Sequence, residues 1–206
     1  GVALHAINVY VVTTVMPSIV KDIGGLEVYA WSTTLFVIAS ILGSALSSRL
    51  IGRLGPRKAY LSALVVFCLG TVVCAIAPAM AVLLAGRTLQ GLAGGLLLAL
   101  SYALIRLVYE SRLWARALAF VSAMWGVATL SGPAIGGMFA QSGHWRLASW
   151  ALLPVAALLA VIVSSLVPAQ DARGPTKVTV AWGRLGLLAG SVLAFSVGSL
   201  FGDNAA

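Results

Sequence analysis

Four side chains able to hold charge, move protons or orient polar molecules fall inside long apolar stretches of this sequence. His5 and Asn8 lie one helical turn apart in the first stretch, and Arg87 and Gln90 share the fourth. An arginine at the centre of an apolar span costs roughly 2.5–3.5 kcal/mol on insertion scales, so its presence calls for a reason. Arg87, Gln90, Gly91 and Gly94 follow the i, i+3, i+4, i+7 spacing of one helical face. Two readings of Arg87 follow: it lines an internal aqueous cavity, or it stretches its charge to a nearby boundary. His5 and Asn8 have comparable alternatives. Each either takes part in proton transfer or substrate binding, or is structural, Asn8 as an interhelix hydrogen-bonding group and His5 as an interfacial residue. Trp125 stands away from the ends of its stretch. It is read either as an aromatic face for a cationic ligand or as a lipid-facing or core-packing residue.

Other chemistries find no residues to carry them. No Ser-His-Asp set or pair of carboxylates can be assembled, so no catalytic residue is predicted and an enzyme is not expected. Gly91-Leu92-Ala93-Gly94-Gly95 is glycine-rich but lies within an apolar span, where a nucleotide-binding loop has no place. Cys68 and Cys74, six residues apart in one run, suggest neither a disulfide nor a metal site. No cofactor is expected.

The elements that must position these residues are set by composition. Of 206 residues, 61% are hydrophobic and 9% charged, too few charges to cover a soluble surface. About 20 apolar residues cross the hydrocarbon core, and that template fits at 1–20, 29–50, 59–77, 80–107, 117–139, 147–167 and 185–202. An all-α, polytopic membrane helix bundle is therefore predicted. Six helices over 1–167 are joined by a cytoplasmic linker over 168–184 to a seventh helix within 185–206. The net charge of +8 is a topology signal. Ten basic residues fall in one set of alternate loops (Arg49, Arg53, Arg57, Lys58; Arg106, Arg112, Arg116; Arg173, Lys177, Arg184), against Lys21 and Arg146 in the other. Positive residues stay inside, which puts the N-terminus in the cytoplasm and makes a bacterial inner membrane the expected location. The charges form no continuous face, so nucleic acid is not an expected partner. Trp31, Trp145 and Trp150 fall at the outer boundaries, Trp114 and Trp182 at the inner ones, as interfacial belts require. Gly1 is not an initiator methionine, so sequence is expected before it, and the first run lacks the basic leader of a signal peptide.

Small residues mark two helices. The second span carries Ser40, Gly43, Ser44, Ser47 and Ser48; the fifth carries Gly132, Pro133, Gly136 and Gly137. Such stripes let helices approach closely where no hydrophobic effect draws them together. Taken with the loop Gly52-Arg53-Leu54-Gly55-Pro56-Arg57-Lys58 and the run Arg87 to Gly95, they resemble the N-terminal half of a major facilitator superfamily transporter. The loop resembles that superfamily's basic signature, with Arg53, Gly55, Arg57 and Lys58 as gating residues. Gly132-Pro133-Ala134-Ile135-Gly136-Gly137 resembles the antiporter motif of the drug:proton antiporter group, and Asn8 to Pro17 resembles that group's opening motif. Departures are equally visible: Gly52 stands where the family usually has an acid, Ser48, Ala119 and Ala128 where it has glycine, and Asn8 where it commonly has aspartate. Asparagine neither binds nor releases a proton at ordinary pH.

The resemblance implies proton-coupled efflux of amphipathic or cationic small molecules by alternating access. Helices 1 and 4 would line the cavity, helices 2 and 5 would supply sliding contacts, and a second helix bundle would be required as partner. Helix 5 is expected to meet a helix outside this chain through Gly132, Gly136 and Gly137. The proton carrier is expected to be His5, Asp203 or, preferentially, a residue of that second bundle. Alternatives are a metabolite exporter or facilitator without proton coupling, and a non-transporting half-bundle that binds a partner.

Overall fold

The computed structural model describes residues 1–167, 186–187 and 189–194. Among the described residues there is no strand. Helix α1 is Val2–Ile23. After a 3-10 turn at Leu26–Val28, a helical stretch runs from Tyr29 to Ala75. With its leading turn it spans 50 residues, about 75 Å at 1.5 Å per residue, more than twice the hydrocarbon core. It therefore makes two crossings, and the reversal is at Gly55, whose φ of 75° and ψ of 163° are non-helical. Glycine accepts this conformation without a Cβ clash, and Pro56 begins the next helix with its φ already fixed. We label the two parts α2 (29–54) and α3 (56–75). The inner loop expected between 50 and 59 is thus reduced to a single reversing residue.

Helix α4 is Met80–Val108 and α5 is Trp114–Gln141. Helix α6, Trp145–Leu166, has a turn at Ala151 between two helical segments. Six crossings over residues 2–166 make the chain a multi-pass membrane helix bundle. The expected linker lies outside the described residues, as do Asp203 and most of the expected seventh helix, of which 186–187 and 189–194 are helical.

Two apolar clusters fill the bundle. One gathers Leu4, Ala63, Phe67, Leu97, Leu100 and Ala156; the other gathers Val15, Met16, Ile19, Leu83 and Trp145. In α1, α3 and α4 alike, the buried polar residues fall between these clusters along the helix. His5 and Asn8 lie between Leu4 and Val11, Thr71 between Phe67 and Cys74, and Arg87 and Gln90 between Leu83 and Ala93. The core is layered, apolar on both sides of a polar sheet of side chains.

Close packing in the bundle centres on α4, which uses glycine towards three neighbours. A Cβ on Gly91 would collide with the Phe36 carbonyl, and one on Gly95 with that of Ser40; from the α2 side, one on Gly43 would meet the Leu92 carbonyl. Gly70 of α3 and Gly86 of α4 face each other, each placing a built Cβ 2.9 Å from the other's carbonyl oxygen. Gly94 abuts the His5 ring of α1. Of the small residues of α2, Ser40 and Gly43 thus pack inside this bundle, while Ser48 is exposed. The helix ends at the Asp22 side of the bundle are tied separately. Asp22 at the end of α1 accepts hydrogen bonds from Trp145 Nε1 (3.1 Å) and Arg146 (2.8 Å), and Arg146 also donates to the Ala77 carbonyl (3.2 Å).

Candidate functional site

The polar layer is a connected set. Arg87, 3% exposed, donates from its guanidinium to Gln90 Oε1 at 2.9 Å. Gln90 is fully buried and donates through Nε2 to Thr71 Oγ1 at 3.0 Å; Thr71 in turn donates to the Phe67 carbonyl at 2.8 Å. Cys74 Sγ lies 3.7 Å from Gln90 Oε1. A side-chain relay therefore joins α4 to α3. Sharing of the donor and acceptor ends of one amide fixes the Gln90 rotamer, and with it the position of the charge on Arg87.

Aromatic rings continue the set in the other direction. The Arg87 Cζ sits 4.2 Å from the centroid of the Phe36 ring. The His5 ring stacks on Phe36 at 5.4 Å with an interplanar angle of 24°, and Trp125 meets His5 edge-on at 6.1 Å and 74°. Arg87, Phe36, His5 and Trp125 form a pile that passes from α4 through α2 and α1 to α5. A ring face attracts a guanidinium, so Phe36 holds both its cationic neighbour and the imidazole in place. Asn8, fully buried, leaves both amide atoms without a partner, and His5 Nδ1 is likewise unpartnered. Groups of this kind are strong hydrogen-bonding sites, since a buried amide left unsatisfied is costly.

The structure thus brings His5, Asn8, Arg87 and Gln90 into one layer and sets Trp125 at its α5 edge. It changes the reading of the face around Gln90. That face is an interhelix contact, because Gln90 is bonded to Thr71 and Gly91 is pressed on the Phe36 backbone. Phe36, Thr71 and Ser32 also belong to the layer, and Cys74 borders it. Thr71 carries a weak sequence signal, a hydroxyl in the middle of an apolar run, and Phe36 carries none.

The two other groups of sequence-marked residues lie apart from the layer. Gly55 is the buried reversal between α2 and α3, with Arg53 and Lys58 exposed and Arg57 half-buried around it. On α5, Gly132 abuts Tyr10 and Gly136 abuts Thr14 and the Val11 carbonyl, so both pack on α1. A partner outside this chain was expected for them. The correction has a simple cause: spacing marks a close-packing patch but does not say which helix fills it. Gly137 points elsewhere, with nothing within 4 Å of a built Cβ, and Pro133 is exposed.

A bundle of apolar helices, crossing repeatedly and threaded at one level by buried polar side chains, defines a polytopic membrane protein. The Major Facilitator Superfamily profile matches residues 1–203, and the chain belongs to that family. It is 45% identical over 207 residues to a probable multidrug-efflux transporter of Mycobacterium tuberculosis, covering 97% of this chain and 44% of that protein. It is 30% identical over 176 residues to a multidrug transporter protein of Bacillus subtilis (85% of this chain, 32% of that one). An MFS-type transporter of an acurin A biosynthesis cluster in Aspergillus aculeatus is 30% identical over 188 residues (89% and 34%). The chain thus spans less than half the length of these curated relatives.

Proposed function

We propose that this chain forms the N-terminal six-helix bundle, with the start of a seventh helix, of a transporter that exports amphipathic or cationic small molecules by proton-coupled alternating access. The observation that carries the proposal is the buried layer around Arg87, which lies between two apolar clusters and joins α1, α2, α3 and α4. Apolar packing alone has no use for a buried guanidinium held by a dedicated amide. The names of the relatives support multidrug efflux as the direction and substrate class. Substrate would bind near the midplane between this bundle and a second one, with Trp125 at its aromatic edge, and Gly55 with its basic neighbours would gate the inner side. In this reading the N-terminus is cytoplasmic, the membrane is a bacterial inner membrane, and the protein is not an enzyme.

Coupling requires a group that titrates. Asn8 does not, and His5 is enclosed by Phe36, Trp125 and Gly94; of the two remaining candidates, Asp203 and a residue of the second bundle, the second bundle is preferred. The test is reconstitution of the intact protein in liposomes. An imposed proton gradient should drive movement of a cationic amphipathic dye, and His5→Ala should leave that drive in place. Dye movement indifferent to the gradient overturns the coupling; no movement of any amphipathic solute overturns the export reading.

A further inference from the structure

Away from the polar layer, the last turns of α4 and the first turns of α5 border a groove of about 400 Å³. Tyr102 and Arg106 share one face of α4 at i, i+4, and Trp114 and Leu118 share one face of α5 at the same spacing. Ala103 and Ile105 complete the lining. Tyr102, Trp114 and Leu118 are 38%, 36% and 44% exposed and Arg106 is exposed, so the groove is open to what surrounds the helices. Its volume falls within the roughly 300–1,000 Å³ of small-molecule sites.

Depth and charge limit the occupant. Helix α4 has 29 residues, about 43 Å at 1.5 Å per residue, against about 30 Å of hydrocarbon. Its final turn therefore reaches headgroup level, where Trp114 at the start of α5 also belongs. The indole of Trp114 is fixed there, donating from Nε1 to the Tyr109 carbonyl at 3.0 Å. Arg106 lies beside it, its Cζ 5.8 Å from the ring centroid. No carboxylate among the described residues pairs with Arg106; the nearest acid in sequence, Glu110, is held by Arg112 at 2.6 Å. The groove thus has a cationic rim, a phenol one turn deeper and an apolar wall, and its lining contains no acid. It repels a cationic amphiphile, and an inorganic anion would leave the apolar wall unused. The ammonium of a zwitterionic lipid would find no counter-charge.

We propose that this groove binds one anionic glycerophospholipid of the leaflet at this end of the bundle. Its phosphate sits on the Arg106 guanidinium, which matches phosphate oxygens in a planar fork, and the upper part of its acyl chains lies against Ile105 and Leu118. The inference does not depend on what the protein transports or in which direction.

Brominated lipids test it, because bromine quenches tryptophan emission only at close range. The intact protein is placed in phosphatidylcholine nanodiscs containing increasing fractions of brominated phosphatidylglycerol or brominated phosphatidylcholine. The difference between wild type and Trp114→Phe isolates the emission of Trp114. Half-maximal quenching should need about fivefold less of the anionic lipid, the preference expected of one arginine at a charged surface. Arg106→Gln should abolish that preference. Arg116→Gln, which removes a charge from the same end of α5 outside the groove, should keep most of it. Equal quenching by the two lipids overturns the proposal. So does an equal loss in Arg106→Gln and Arg116→Gln, the mark of diffuse attraction to the leaflet's charge. Absence of quenching by either lipid overturns it as well, and is the result expected if another part of the intact protein fills the groove.

Discussion

Helices α4 and α5 are both marked by glycine, and the structure uses the mark differently in each. On α4 the glycines meet three neighbours, Gly86 on α3, Gly91 and Gly95 on α2, and Gly94 on α1. On α5 only Gly132 and Gly136 are occupied, both against α1, and Gly126 and Gly137 meet nothing within 4 Å of a built Cβ. Apart from the buried Val121 and Ala128, most of the rest of α5 is open, with Phe120 at 73%, Leu130 at 81% and Met138 at 72% exposure. The same residue type therefore builds a hub in one helix and a one-sided hinge line in the other. Contact on three sides fixes a helix; contact along one line leaves it free to be displaced.

The comparison is broken most directly by crowding the hub. Gly95→Leu drives a side chain into the Ser40 backbone, where no rotamer change relieves the clash. Overpacking of cores costs typically about 1–3 kcal/mol and occasionally more, and this contact belongs to the upper end. Loss of folded protein is expected, read as the disappearance of a monodisperse peak after solubilisation; a normal peak would mean that α4 is not the hub. Arg87→Ala comes next. It should insert and fold, since Gln90 keeps its bond to Thr71, yet lower transport by at least about a hundredfold, equivalent to roughly 2.7 kcal/mol. Wild-type efflux in that variant would remove Arg87 from the mechanism.

On α5 the expected effects are smaller and can be set against one another. Gly136→Leu meets Thr14 and the Val11 carbonyl, and should reduce transport about tenfold with a lesser effect on yield. Gly137→Leu, one residue away, should stay within about 0.5 kcal/mol of wild type in stability, measured by thermal unfolding. Equal effects at the two positions would erase the one-sidedness assigned to α5. The smallest change is expected at Trp125. If its ring contributes about 0.5–2 kcal/mol to holding cations, Trp125→Ala alters the relative rates of cationic and neutral substrates by a few-fold to thirtyfold and leaves proton movement intact. Uniform loss for every substrate would make it a packing residue.

What could be read from the sequence was whatever is local. Six crossings are visible because each needs a continuous apolar run, and His5, Asn8, Arg87 and Gln90 stand out because polar groups are rare in such runs. The identity of a partner is not local. Gly132 and Gly136 sit more than a hundred residues from Tyr10 and Thr14, and no periodicity links the two segments. Phe36 is one more aromatic residue in an apolar helix until its place between His5 and Arg87 is seen. The reversal at Gly55 was legible as a loop but not as a single residue, because the flanking basic residues read as solvent-exposed chain although they continue the two helices.

The tie between Asp22 and Arg146 has a consequence for how the protein is made. Asp22 and Arg146 are separated by 124 positions, which a ribosome working at 5–20 residues per second covers in roughly 6–25 s. During that interval helices α2 to α5 are made while the carboxylate at the end of α1 waits for its partner. The Ala77 turn waits with it, since its carbonyl is bonded by the same guanidinium. Arrival of α6 closes both at once, so the order of synthesis leaves this rim as the last part of the bundle to be secured.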